Sequence, residues 1–217
     1  MLTRVPLAVL VVLTLAGCNS SPYFSAWEKL GWAKRDILVS RVKEARDEQE
    51  GAKNEFKSTL AEFRSVAGIK DDELQPKYDK LKADYDRCET RAAAVKKRID
   101  SVDGVAEAMF SEWKKELSEY ESAELRHSSE RQLDAAKDRY AQLIAAMRRA
   151  ESKMHPVLRA FHDQVLFLKH NLNARAIASL DQTRVQVESD VASLIAEMEA
   201  SIKEANSFIS EMQKQTK

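Results

Sequence analysis

The 217-residue sequence predicts an all-α protein: a long antiparallel four-helix coiled-coil bundle with up-down-up-down connectivity. Three observations carry that expectation. Charged residues make up 32% of the chain and are interspersed in sign, as on the solvated faces of long helices. Helix breakers are scarce, with five glycines and four prolines. Apolar residues recur at steps of three and four, the spacing that keeps one helix stripe against a partner.

The chain opens on a different pattern. Arg4 is followed by an apolar run from Val5 to Leu15, which is the form of an export signal. A spanning helix needs roughly 20 apolar residues, and this run is shorter and ends in polar Asn19, Ser20 and Ser21. Leu15-Ala16-Gly17-Cys18 resembles the lipobox of bacterial lipoproteins, in which the signal is cut before a cysteine that carries diacylglycerol. Cys18 is therefore the expected lipid attachment site. Several buried acyl chains, at about 0.8 kcal/mol per methylene, make such an anchor firm. In the lipoproteins this resembles, aspartate after the cysteine often retains the product in the inner membrane. Asn19 stands there instead, so the expected location is the outer membrane, facing the periplasm. The implied organisation is a removed signal at residues 1–17, lipidated Cys18 and a linker at 18–22, one helical bundle at 23–213 and a frayed tail at 214–217.

In the first helix the seam runs Leu38, Val42, Ala45, Ala52, Phe56, Thr59 or Leu60, Phe63 and Val66, with Gln49 as a polar intruder. Gly68 ends it, and Lys70-Asp71-Asp72 form a turn before Pro76 enters the next helix. The second seam is Tyr78, Leu81, Tyr85, Cys88, Ala92, Val95, Ile99, Val102, Ala106, Met109, Trp113 and Tyr120. It keeps its phase across Gly104. Ser128 and Ser129, with Gln132 after them, form a capping-box pattern that places the third helix start there. The third seam continues from Leu133 to Leu172 straight through His155-Pro156, which predicts one bent helix rather than two. The fourth runs from Ile177 through Val187, Leu194, Met198, Ile202 and Ile209 to Met212. An extended two-helix hairpin that dimerises is the competing topology.

With the helices placed, three stretches carry a family likeness. They are Lys34-Arg35-Asp36-Ile37-Leu38-Val39, the run from Ala145 through Arg148 and Arg149 to Met154, and the run from Phe167 through His170 and Asn173 to Ala176. They resemble the bacterial family filed as domain of unknown function 2959, over residues 23 to 209. The resemblance implies an exported, all-helical bacterial protein and brings no activity, ligand or catalytic residue with it.

Composition limits the function classes. Cleavage of the signal removes only Arg4, leaving 34 cationic against 35 anionic residues and a net charge of −1. Without a basic run, no nucleic-acid partner is expected. Glu124 and His127 form a single Glu-x-x-His pair where a di-iron bundle needs two, so no metal or other cofactor is expected. His155 and His162 lie seven residues apart, too far for one ion, and read as solvated or core-edge side chains. Cys88, in the seam, reads as a small buried hydrophobe. No nucleophile motif points to an enzyme.

Two surfaces remain as candidates. Trp32, beside Lys34 and Arg35, is the best residue for contact with a membrane interface. The tether from Cys18 spans at most about 20 Å, which puts the start of the first helix near the bilayer. The opposite end of an up-down bundle then carries Lys169, His170, Asn173 and Arg175 as a polar, partly basic partner surface. The expectation is a non-enzymatic, lipid-anchored coiled-coil protein that contacts the membrane through its lipid and another envelope protein through its far tip. A periplasmic ligand- or metal-binding bundle with a cavity near Pro156 is the alternative.

Overall fold

The amphipathic stripes become four helices in the computed structural model, which describes residues 34–66, 74–171 and 174–214. Side chains are described throughout these segments except for Val66 and residues 174–182. Helix α1 is Lys34–Val66, α2 is Leu74–Glu116, α3 is Ala123–His170 and α4 is Ala174–Lys214. A short 3-10 turn, Leu117–Glu119, follows α2. No strand occurs among the described residues. The helices hold 33, 43, 48 and 41 residues, so they run from about 50 to about 72 Å at 1.5 Å per residue.

Each helix packs against two neighbours: α1 against α2 and α4, and α3 against the same two. The core fills the space between all four. Leu38, Val42, Ala45, Ala52, Phe56, Leu60 and Phe63 of α1 are buried, as the seam predicts. From α3, Phe161 reaches across to α1, its ring centroid 6.4 Å from that of Phe56 and 6.5 Å from that of Phe63. Burial of each such side chain contributes about 1.5–3 kcal/mol, and the aromatic pairs add about 0.5–1.5 kcal/mol.

Polar pairs fix the registers at the rims. Glu44 takes Arg98 at 2.6 Å, Glu48 takes Arg91 at 2.9 Å and Glu55 takes Arg87 at 2.8 Å, so numbers rise on α1 as they fall on α2. The same opposition holds between α1 and α4, where Arg46 bonds Asn206 at 2.9 Å and Arg64 meets Glu188 at 2.8 Å. Across α3 and α4, Arg139 meets Glu211 at 2.7 Å and Arg149 meets Glu197 at 3.7 Å. Exposed pairs of this kind contribute at most about 1 kcal/mol each, so they select register more than they stabilise.

Three local expectations are corrected. The cap of α3 is Ser122, whose Oγ accepts from the Leu125 N–H at 3.3 Å. Ser129 lies nearly two turns inside the helix, buried, where it accepts the Trp113 indole N–H at 2.8 Å. A half-buried indole donor needs a partner, and that need outweighs the capping pattern. Tyr120 leaves the core and is 40% exposed, because α2 ends at Glu116 and the 3-10 turn redirects the chain. In α4 the core position belongs to Ser201, fully buried, and Ile202 is only half-buried. As expected, α3 continues through Pro156 without a break.

Candidate interaction site

Of the sequence-predicted site residues, Cys18, Trp32 and Asn173 lie outside the described residues, and Arg175 is described only as backbone in the first turn of α4. Lys169 and His170 occupy the last turn of α3, both exposed. Cations there suit the negative end of the helix dipole. Asn171 closes the helix: its N–H bonds the Leu168 carbonyl at 3.2 Å and its Nδ2 donates to the Phe167 carbonyl at 3.0 Å.

Helical spacing separates the two exposed residues. Lys169 shares a stripe with His162, Val165 and Leu166, and that stripe borders α2. Opposite stand Tyr78 and Tyr85, and between the two helices lies a surface groove of about 350 Å³. Buried Tyr85 and exposed His162 meet across it, their ring centroids 5.7 Å apart and their planes inclined at 51°. Burial and a hydrogen bond to Glu89 hold the Tyr85 phenol in its neutral form, well above the usual tyrosine value. Lys82 pairs with Asp86 at 2.5 Å. Lys169 has no ion-pair partner among the described residues.

A second groove of about 280 Å³ adjoins the first at Glu89 and continues along α3 past Met154, His155 and Leu158, beside Pro156. His155 and His162, read from sequence as solvated or core-edge residues, are both exposed, and each lines one of the two grooves. Their seven-residue interval puts both on one stripe of α3, and the same interval relates Tyr78 and Tyr85 on α2. That double interval was the available signal, and only the spacing of the two helices turns it into grooves.

With one exception, the buried polar groups elsewhere among the described residues are satisfied within the bundle. Thr59 Oγ1 lies 3.1 Å from Cys88 Sγ, and burial pushes the Cys88 thiol up to about 12, so it stays protonated and inert. Burial would raise the Glu62 carboxyl, but hydrogen bonds from Lys80 and Lys77 outweigh it and leave the group below the ordinary carboxylate value. Asp103 receives the Tyr140 hydroxyl and Arg148, tying α2 to α3. Ser201 Oγ donates to Gln49 Oε1 at 2.9 Å, while Gln49 Nε2 is buried without a partner. His127 bonds Glu130 at 3.0 Å on the exposed first turns of α3. Among the described residues, no group of three or more metal-ligating side chains converges. None of the described helices is long and apolar enough to cross a membrane.

The family model described as protein of unknown function (DUF2959) matches residues 23–212. No curated protein and no solved structure matches the chain.

Proposed function

The chain belongs to the DUF2959 family of proteins of unknown function, and from that premise we propose that it is a lipid-anchored, non-enzymatic coiled-coil protein of the bacterial envelope. Its role in this reading is to present a surface to another envelope protein. The observation that carries the proposal is Leu15-Ala16-Gly17-Cys18 at the end of a short apolar run, in the position of a lipobox. Asn19 after the cysteine favours outer-membrane delivery, facing the periplasm.

Opposed numbering across the neighbouring helices supports an antiparallel, up-down-up-down arrangement, and the three-four seams support coiled-coil packing. In that arrangement the C-terminal ends of α1 and α3 share one end of the bundle, where Lys169 and His170 stand. With Asn173 and Arg175 these residues are the proposed partner surface, and Trp32 is the proposed membrane-interface contact.

The test is fractionation with mass spectrometry. The native chain is expected in the membrane fraction with diacylglycerol on Cys18, and the Cys18→Ala chain in the soluble periplasmic fraction. A Cys18→Ala chain that stays membrane-bound and unlipidated would overturn the anchoring mechanism.

A further inference from the structure

We propose that the Gln49–Ser201 pair is a register key: it confines α1 to one lengthwise position in the bundle and excludes a second position one heptad away. The proposal goes beyond the envelope role and rests on the antiparallel packing described with it.

The apolar seams do not distinguish the two positions. Gln49 stands in a heptad series with Val42 and Phe56, and Ser201 in one with Leu194 and Phe208, all of them buried. Moving α1 by one heptad towards its own C-terminus, about 10 Å, keeps apolar residues opposite apolar residues. It also brings Gln49 level with Leu194.

The rim charges do not distinguish them either, because they too recur at seven. Glu44 now pairs with Arg98 and Glu55 with Arg87. After the move Glu44 is level with Arg91 and Glu55 with Lys80, so both carboxylates meet a cation again. Arg46, which now bonds Asn206, comes level with Glu199. Nor does the chain forbid the move. Val66 and Leu74 are eight residues apart, a reach of up to about 26 Å, against a displacement of about 10 Å along the bundle and about 10 Å across it.

Gln49 does distinguish them. In the observed position its Oε1 accepts from Ser201 at 2.9 Å, and its Nε2 has no partner. Opposite Leu194 neither end of the amide is paired, which disfavours that position by about tenfold or more. Thr59, also fully buried in α1, makes a weaker key, since its hydroxyl donates to the Glu55 carbonyl at 3.0 Å within the same helix wherever α1 sits. A single imperfect polar pair in an apolar seam adds little stability and much specificity.

The experiment measures the register in the full chain, in detergent. Nitroxides are joined through p-acetylphenylalanine at Ala61 and Ser210, both exposed, which leaves the cysteines unmodified. Counted from the Gln49–Ser201 pair, the two positions are separated by about 32 Å along the axis and about 10 Å across it. Double electron–electron resonance on the native chain is therefore expected to give one distance of about 33 Å. Gln49→Leu and Ser201→Ala should each raise the moved population at least about tenfold, visible as a second distance of about 43 Å. The two variants shift stability in opposite directions, so a shared second distance reads the pair and not the loss of folding. Phe161→Ala, which weakens the core and leaves the pair intact, should keep the single distance.

A second distance that is absent from either pair variant, present in the native chain, or equally strong in Phe161→Ala overturns the key. A single native distance well away from about 33 Å defeats the antiparallel packing as well, whereas the expected native distance with unchanged pair variants defeats the key alone.

Discussion

Gln49→Leu is expected to stabilise the protein. The side chain is fully buried in α1, its Oε1 accepts from Ser201 at 2.9 Å, and its Nε2 has no partner. An orphaned buried donor costs about 1–3 kcal/mol, whereas the single hydrogen bond contributes about 0.5–1.5 kcal/mol. After the substitution, the Ser201 hydroxyl can turn to the carbonyl of Glu197 one turn back in its own helix. Leucine also adds apolar burial of nearly the same volume. The net expectation is about 0.5–1.5 kcal/mol of added stability, or a Tm higher by about 1–6 °C for a protein of this size. Urea unfolding followed by circular dichroism measures it. Ser201→Ala alone should destabilise by about 1–2 kcal/mol, because both ends of Gln49 are then unpaired, and should be nearly neutral in the Gln49→Leu background. If Gln49→Leu lowers stability by more than about 1 kcal/mol, the amide nitrogen is solvated in the native core and the reasoning fails.

Three further outcomes follow from the core and its polar clusters. Phe161→Ala removes a ring 1% exposed that contacts Phe56 and Phe63, and should cost about 3–5 kcal/mol, seen as a Tm drop of about 6–20 °C; a drop under about 2 °C would mean that the four helices do not share this core. Cys88, buried with its thiol raised to about 12, should resist thiol reagents in the folded protein and react only as denaturant opens the bundle, so stoichiometric labelling within minutes in native buffer would contradict its placement. The Glu62 carboxyl is depressed from 4.5, so its contribution is present above the unfolded value and lost as pH falls through the folded one. Glu62→Gln should thus be about 1–3 kcal/mol less stable than the native chain near neutral pH, with the gap closing below about pH 4 in paired urea melts; a gap independent of pH would refute the charge-assisted bonds.

The family and the helical class were legible before any coordinates, because both are encoded locally. Leu38 through Phe63, Leu81 through Met109 and Leu133 through Leu168 bury at the steps their spacing announces, apart from half-buried Tyr140. Periodicity within one helix needs no knowledge of its neighbours. The continuity of α3 through Pro156 was legible for the same reason: the apolar phase survives the proline.

Tertiary structure decided whatever required two helices at once. Ser129 had the sequence of a cap, and the Trp113 indole from α2 turned it into a buried acceptor, leaving the cap to Ser122. Ser201 took the core position expected for Ile202 because Gln49 stands opposite on α1. The groove arises in the same way. Two tyrosines on α2 and two histidines on α3 were visible as repeats of seven, but the distance between their helices was not. A sequence specifies which stripe of a helix is apolar; how far apart two stripes settle, and which polar group meets which across the gap, depends on the packing of all four helices together.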